Sequence, residues 1–359
     1  MKRILALALS CLLVLSLVAC GGTPSSSPPP ASTPPPASGA PTTSGLDFGP
    51  YSPENPLVLK GVSYGRGEAN LNNRSNLMVA EVIKEFSGGM VVVEVYNDGV
   101  LADSDRTSLE GLVLGNWDIS YNNTAQLSNY VPEYGIFDMM YLFRDLDHAH
   151  AFLASDVYDE VCDMLTPSGA RMLAMDVTGF RNVYVNEKQS PITTAADMNG
   201  VMLRVNESEL FLQGFRAIGA SPVAMPNSET TAALQQGTVD GLDQNSIIMI
   251  SSGYAEFVKH GARTEHSVQF LTYNIRESLW QTLTPDMQNL IREAVREAAV
   301  RRTADNAEVV ARMEQEMVDK GILFTDVDKQ SFIDLLGDYN DSFVPTYKDL
   351  YGKISALAP

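Results

Sequence analysis

The sequence predicts an α/β protein with two lobes, in which each lobe is a mostly parallel sheet with helices on both faces. Strand and helix patterns alternate along the chain, which is typical of parallel sheets with right-handed crossovers. The length of 359 residues suffices for about two domains of 100–200 residues. A helical pattern near the C-terminus is longer than one lobe needs, and we expect this helix to span both lobes.

The composition excludes several classes of protein. Hydrophobic residues make up 45% and charged residues 19% of the chain, which is ordinary for a globular protein and unlike a disordered chain. The formal net charge of −19 repels phosphate backbones, so we expect no nucleic-acid partner. His148 and His150 form an i, i+2 pair that points to different faces of a helix, so we expect no metal site.

The first 20 residues have the pattern of an export signal. Lys2 and Arg3 precede the apolar run 4–18, which is too short for a comfortable membrane span. The run ends in Leu-Val-Ala-Cys, which resembles the bacterial lipobox, whose Cys is acylated after cleavage. We therefore expect lipidation at Cys20, which would hold the protein at the outer face of the cytoplasmic membrane. An ordinary signal peptide with a chance cysteine is the alternative.

Residues 21–45 follow as a tether. They contain only Gly, Thr, Pro, Ser and Ala, so they cannot bury apolar surface, and their proline runs favour an extended polyproline II chain. Once the signal is removed, Cys20 and Cys162 remain, and with Cys20 lipidated we expect no internal disulfide. Cys162 lies at a position suited to the apolar face of a helix and is expected to be a buried thiol.

The sequence that follows the tether predicts repeated pairs of a strand and a helix. In the first half, the spacing of apolar residues predicts strands over 57–64, 90–96 and 117–121 and helices over 75–86 and 105–114. Ser75 is the expected N-cap of the first of these helices. Farther along, the same reasoning predicts strands over 201–205 and 222–225 and helices over 208–218 and 229–236.

The long C-terminal helix has a clear start. Thr284, Pro285 and Asp286 supply an N-cap, a proline at the first helical position and an acid in the first turn. Nothing breaks the pattern before Gly321, so the helix would have about 36 residues and a length of roughly 54 Å. A break within 303–306 stays open.

Residues 61–65 match the G-x-S-x-G pattern of serine hydrolases, with Ser63 in the position of the nucleophile. In that motif a strand leads directly into a helix, whereas Ser63 closes the first strand and is followed by the polar residues 66–70. An exported serine esterase that uses Ser63 is therefore kept as an alternative function.

Arg204 stands out because it lies in the strand 201–205 between apolar neighbours, where a long cation is unusual. Taken alone, it is best interpreted as a structural arginine at a strand end that pairs with a local acid. Its neighbours change that interpretation, since residues 200–241 carry a longer pattern. The pattern comprises Gly200, Arg204, Val205, Gly219, Ala220, Pro222, Ser228, Glu229, Ala233, Leu234, Gln235, Gly237, Val239, Asp240 and Gly241.

This pattern resembles the signature of the solute-binding proteins of TRAP (tripartite ATP-independent periplasmic) transporters, the DctP-type family. The resemblance covers most of residues 57–345. It implies a periplasmic-binding-protein-like fold, no cofactor, no catalytic residue, and a cleft that closes on a small organic acid and hands it to membrane permease subunits. It also implies that residues 46–176 with about 269–309 form lobe I, and about 177–268 with about 310–350 form lobe II.

The family's ligand residues can be carried over position by position. By resemblance, Arg204 would form a bidentate salt bridge with the ligand carboxylate, as its planar fork of donors allows. Arg181 holds the place of a second cleft arginine, and Asp243 could brace it. Further ligand contacts are expected in segments that line the family's cleft, at Gln244, Asn227, Asn123 and Glu68. Asn227 replaces an aromatic residue of many members and is expected just before a helix that starts at Ser228.

One further function with the same fold remains open. The closed, ligand-bound form could be presented to a sensor kinase rather than to a permease, and this sequence alone does not separate the two.

Overall fold

The structure, a computed structural model, describes residues 43–359. The predicted signal peptide, Cys20 and most of the tether lie outside these residues. The strands are β1 (Leu57–Val62), β2 (Val91–Tyr96), β3 (Ile119–Asn123), β4 (Ala170–Val185), β5 (Met202–Val205), β6 (Ser221–Ala224), β7 (Gly241–Asn245), β8 (His260–Arg276) and β9 (Leu323–Asp326).

Helices cover both faces of these strands, as the alternating pattern predicts. They are α1 (Leu71–Phe86), α2 (Asp105–Leu114), α3 (Thr124–Leu127), α4 (Leu146–Leu153), α5 (Asp156–Asp163), α6 (Glu209–Ala217), α7 (Asn227–Gln236), α8 (Ser246–Ser251), α9 (Glu277–Trp280), α10 (Pro285–Asp319) and α11 (Lys329–Ser355).

The strands form two parallel groups joined by two long strands. The order is β2-β1-β3-β8-β4-β7-β5-β6, with β9 beside β8. Pairs β1–β2 and β1–β3 are parallel in the first group, and β5–β6 and β5–β7 are parallel in the second. The long strands β4 and β8 pair antiparallel with each other and with the neighbouring group on each side. The predicted two-lobed α/β fold is therefore confirmed, and β4 and β8 are the antiparallel exceptions.

The long helix α10 is continuous from Pro285 to Asp319, a span of 35 residues, without a break at 303–306. Thr284 caps it as predicted, since its hydroxyl accepts a hydrogen bond from the backbone N–H of Met287 at 3.2 Å. The N-terminal half packs into the apolar cluster under the first strand group, and Val309, Met313 and Met317 pack into a cluster of the second. The expected strut across both halves of the body is thus present.

Helix α1 begins earlier than predicted. Its N-cap is Asn70, whose side chain accepts from the backbone of Asn72, whereas Ser75 is buried inside the helix. The prediction of a start at Ser75 is wrong because the first turn is polar. Asn73 and Asn76 turn inward and donate to the carbonyls of Gly67 and of Gly61 in β1, so apolar spacing does not reveal this part of the helix.

Two differences from the predicted boundaries affect residues of the expected site. Helix α7 starts at Asn227 itself, after the extended Pro226, so the expectation that Asn227 precedes the helix is wrong by one residue. Strand β3 runs two residues later than the predicted 117–121, which moves Asn123 to the end of the strand. Within residues 43–359, no helix combines the length and apolar character needed to cross a membrane.

Candidate ligand-binding site

A cavity of about 790 Å³ opens where the parallel strands of both groups end. Its walls come from the segments after β1 and β3, the first turns of α1 and α2, the end of β5, the start of α7, and the middle of β4 and β8. The carboxyl ends of parallel strands are the usual place for ligand sites in α/β proteins, and this volume is in the range of small-molecule pockets.

Arg204 on β5 lines this cavity and is 1% exposed. Its Nε and Nη2 atoms donate to the carbonyl of Met225 at 3.2 and 2.8 Å. Nη2 also donates to Oδ1 of Asn227 at 2.9 Å, and Nη1 donates to Oδ1 of Asn206 at 3.0 Å. All of these acceptors are neutral, and the described residues provide no carboxylate that forms an ion pair with Arg204.

The absence of an acid partner within residues 43–359 contradicts the purely structural interpretation of Arg204. Burial lowers the pKa of this guanidinium, which reflects the free-energy cost of keeping a cation out of water. Four hydrogen bonds use four of its five N–H groups and leave one hydrogen on Nη1. A buried cation that faces a cavity and lacks a counter-ion is suited to bind an anion.

Arg181 on β4 is equally buried but is already paired. Its Nε donates to Oδ2 of Asp243 at 2.6 Å, and its Nη2 donates to the backbone carbonyl of the same residue at 2.9 Å. Nη1 donates to the side-chain oxygens of Gln244 at 3.3 Å and Gln269 at 3.2 Å. The predicted contact between Asp243 and Arg181 is therefore present, and it holds the guanidinium plane in a fixed orientation.

Burial by itself would raise the pKa of Asp243, but the positive charge of Arg181 and the nearby imidazole of His266 outweigh it. The pKa of Asp243 therefore lies well below its ordinary value. The Nε2 atom of His266 lies 3.5 Å from Oδ2 of Asp243. Asp243 stays ionised at neutral pH, and the pair of Arg181 and Asp243 carries no net charge.

A hydrogen-bond chain connects Arg181 to the first strand group. Gln269 on β8 accepts from Arg181 and donates through Nε2 to Oδ1 of Asn123 at 3.0 Å. Asn123 at the end of β3 donates in turn to Oδ2 of Asp105 at 2.8 Å and to the hydroxyl of Tyr64 at 3.2 Å. The cavity walls from both groups are thus linked through amide side chains.

Asp105, the first residue of α2, is a partly buried acid of this wall. Its Oδ1 accepts from Nδ2 of Asn122 at 2.7 Å, and its Oδ2 accepts from the backbone N–H of Asn123 at 3.2 Å. Burial raises the pKa of Asp105 to about 6, although hydrogen bonds from Asn122, Asn123 and Tyr64 oppose that effect. Burial, and then the charge of Asp105, raise the pKa of Tyr64 well above its ordinary value.

Arg106 and Glu207 form an ion pair that joins α2 to the segment after β5. The Nη2 atom of Arg106 lies 2.5 Å from Oε1 of Glu207, and both side chains are partly exposed to water. Both residues line the cavity. Because the pair is solvated, its contribution to stability is small, but it neutralises one of the arginines at the rim.

The family model for bacterial extracellular solute-binding proteins, family 7 (DctP), matches residues 67–344. The chain belongs to this family. The resemblance carried by residues 200–241 is confirmed.

Curated relatives share about a quarter of their residues with this family 7 protein. The 2,3-diketo-L-gulonate-binding periplasmic protein YiaO of Escherichia coli is 26% identical over 74% of this chain and 80% of its own length. The C4-dicarboxylate-binding periplasmic protein DctP of Vibrio cholerae is 24% identical over 71% of this chain and 76% of its own.

A solved structure supports the fold. A TRAP periplasmic solute binding protein from Bordetella bronchispeptica superimposes with a TM-score of 0.78 at 26% identity, over 84% of this chain and 100% of that one. The two-lobed architecture of this protein is therefore that of TRAP solute-binding proteins.

The family 7 protein brings most of the predicted site residues together. Five of them line the cavity, namely Arg204, Arg181, Gln244, Asn227 and Asn123. Asp243 lies behind Arg181, where it contacts the guanidinium rather than the cavity. Glu68 is exposed in the loop before α1 and does not belong to the cavity wall, so the structure does not bring it to the site.

The cavity residues that the sequence analysis missed include Tyr64, Asp105, Asn206 and Gln269. Asp105 starts a predicted helix, where an acid is favoured by the helix dipole in any protein, so its position gave no special signal. Asn206 directly follows the strand of Arg204, and the rule that ligand sites lie at the carboxyl ends of strands could have indicated it.

Ser63 has a structural environment in this family 7 protein. Its hydroxyl is fully buried, donates to Oδ1 of Asn73 at 2.7 Å and accepts from the backbone of Gly65 at 3.2 Å. The hydrogen bonds found for the described residues do not connect it to a histidine. This geometry differs from an exposed nucleophile next to a base.

The remaining candidate groups are also structural. His148 is buried, and its Nε2 lies 2.8 Å from the carbonyl of Ile354. Cys162 is buried in α5 as predicted, and burial raises its pKa to about 12, so the thiol is not a reactive thiolate. From residue 43 onward, the structure contains no group of three or more His, Cys, Asp or Glu side chains arranged to hold a metal ion.

Proposed function

We propose that this protein captures a small organic acid in the cavity between its lobes and delivers it to a TRAP-type secondary transporter. The observation that carries the proposal is Arg204, a buried guanidinium that lines the cavity and bonds only to neutral oxygens of the described residues. Family membership supports an extracytoplasmic binding function without a covalent step.

The carboxylate of the ligand would bind to Arg204. A planar guanidinium forms two parallel hydrogen bonds with a carboxylate, which a point charge such as an ammonium cannot do. Asn206 and Asn227 now accept from Nη1 and Nη2 through their side chains, and rotation of either amide would free a donor for the ligand. The Met225 carbonyl would keep Nε in place.

The other predicted ligand residues would serve different tasks. Arg181 is held by Asp243 and would offer an oriented donor edge, and Gln244 and Asn123 would add neutral hydrogen-bonding groups. Asp243 would act by positioning Arg181. We leave Glu68 out of the proposed site because of its exposed position.

Ligand capture would close the two lobes about β4 and β8. The pairing of these strands shifts register between Val177 and Gly179, and Gly179 has a φ of +109°, a conformation that favours glycine. This irregularity lies close to the expected lobe boundaries at 176 and 269. Bending there would change the lobe orientation without breaking either parallel group.

A thermal-shift screen tests the proposal. We expect the melting temperature of the purified protein to rise with one class of carboxylates, and not with neutral sugars, because a ligand at 100 times its Kd adds about 2.7 kcal/mol. For a protein of this size that stabilisation amounts to several degrees. Stabilisation by neutral sugars without stabilisation by any acid would contradict the proposal.

Membrane attachment through Cys20 is a separate prediction. We expect the protein expressed in bacteria to incorporate labelled palmitate and to sediment with membranes, because two acyl chains anchor a protein stably. Cys20→Ser should remove both properties, whereas Cys11→Ser, within the apolar run, should keep both. Membrane sedimentation and labelling of the Cys20→Ser variant would show that Cys20 is not the anchor.

A further inference from the structure

Building on the proposed function, we infer that the ligand is a polyhydroxylated acid with a single carboxylate, and that Asp105 is the residue that excludes a second carboxylate. The relatives do not decide this point, since their names include both a diketogulonate-binding protein and a C4-dicarboxylate-binding protein. The inference depends instead on the charges and hydrogen-bonding groups of this cavity.

The positive charge available in the cavity matches one carboxylate. Arg181 is neutralised by Asp243, and Arg106 by Glu207. Arg66 lies at the rim, where it is exposed to water. Among the buried groups of the described cavity, Arg204 is therefore the cation that lacks an anionic partner. A dicarboxylate would bring one negative charge more than this wall can compensate.

Asp105 adds a negative charge on the wall formed by α1, α2 and β3. It is bonded to the amides of Asn122 and Asn123 and to Tyr64, all of which are neutral. A second carboxylate placed against this wall would meet a like charge in a partly desolvated site, which is a strongly unfavourable arrangement. The same wall would accept hydrogen bonds from hydroxyl groups.

The neighbours of Asp105 are suited to hydroxyl groups. Amide side chains offer both donors and acceptors, and a hydroxyl also donates and accepts, so the two types complement each other. This wall contains the amides of Asn72, Asn123 and Gln126 and the hydroxyls of Ser104 and Thr107. The charge of Asp105 is already shared among several neutral donors, so the site does not need an ammonium group to compensate it.

Four compounds with six carbons test the inference by isothermal titration calorimetry on the wild-type protein. D-Gluconate has one carboxylate and a polyol chain, D-glucarate adds a carboxylate at the far end, hexanoate lacks the hydroxyls, and D-glucitol lacks the carboxylate. D-Galactonate with galactarate, and D-glucuronate with glucarate, extend the comparison to other hydroxyl configurations. We expect at least one polyhydroxylated monocarboxylate to bind at least about tenfold more tightly than its dicarboxylate partner and than hexanoate.

Asp105→Asn tests the role assigned to this residue. Removal of the charge should lower the preference for the monocarboxylate over its dicarboxylate partner by at least about tenfold, because the repulsion is lost. Glu110→Gln is the matched control, since Glu110 is exposed on the same helix outside the cavity and its variant should keep the wild-type preference. If Asp105→Asn does not fold, the wild-type comparison still decides the ligand class.

The outcomes separate this inference from the proposed function. Binding of glucarate, galactarate or hexanoate that is as tight as or tighter than that of every polyhydroxylated monocarboxylate tested would overturn the inference and leave capture of organic acids intact. Binding of D-glucitol as tight as that of D-gluconate would overturn both. Failure of all three polyhydroxylated monocarboxylates to bind at 10 mM would also overturn the inference.

Discussion

Arg204→Ala is expected to lower the affinity for the acid ligand at least about 100-fold, because it removes a desolvated charge that pairs with the carboxylate. The measurement is calorimetric titration with the acid that gives the largest thermal shift. Arg204→Lys keeps the charge without the planar fork, so its affinity should lie between those of the wild type and the alanine variant.

Circular dichroism should show that the Arg204→Ala variant is folded. The removed cation has no ion-pair partner among the described residues, so its loss does not strand a buried carboxylate. Arg216→Ala is the matched control, because Arg216 is exposed on α6, the helix that connects β5 to β6. Its affinity should equal that of the wild type. An alanine variant at position 204 that binds every carboxylate within a few-fold of the wild-type affinity would contradict the role of this arginine.

Asp243→Ala is expected to lower the free energy of unfolding by about 3–5 kcal/mol, since it leaves Arg181 buried without its counter-ion. Urea denaturation at pH 7 measures the effect. Asp159→Ala is a matched control from an exposed ion pair with Arg296 and should cost less than about 1 kcal/mol.

The double variant Arg181→Met with Asp243→Leu tests whether the unpaired charge of Arg181 causes the loss of stability in Asp243→Ala. It removes both charges at once, so it should be more stable than Asp243→Ala, although it also removes the hydrogen bonds that Arg181 donates to Gln244 and Gln269. If the double variant were less stable than the single one, the cost would come from lost packing rather than from an unpaired charge.

The stabilising contribution of Asp243 should depend on pH in a direction that its pKa determines. The pKa of Asp243 is lower in the folded protein than in the unfolded chain, where an aspartate titrates near about 4. Its stabilising contribution is therefore complete above that pH and declines as the pH falls below it. Through this carboxylate, the stability difference between the wild type and Asp243→Ala should narrow as the pH falls below about 4.

Much of the fold could be predicted because its strands and helices alternate with clear apolar spacing and end at glycines. The long strands β4 and β8 could not be placed in this way. Both are buried along most of their length, so they lack the alternation of polar and apolar residues that marks a half-exposed strand. Their antiparallel pairing depends on contacts between distant parts of the chain.

The site was predictable where a residue was unusual in its local setting. Arg204 in an apolar strand was such a residue, and the resemblance supplied its role. Asp105 was ordinary for a helix start, and its significance arises from the cavity into which α2 and β3 bring it. Glu68 shows the converse, because it lies in a segment near the cavity while its own side chain is exposed.

A crystal structure of the protein with its bound acid tests the central claim most directly. The account predicts closed lobes and a ligand carboxylate within hydrogen-bonding distance of the guanidinium of Arg204, with Asp243 still paired to Arg181. A carboxylate bound elsewhere in the cavity, with Arg204 bonded only to Met225, Asn206 and Asn227, would contradict it.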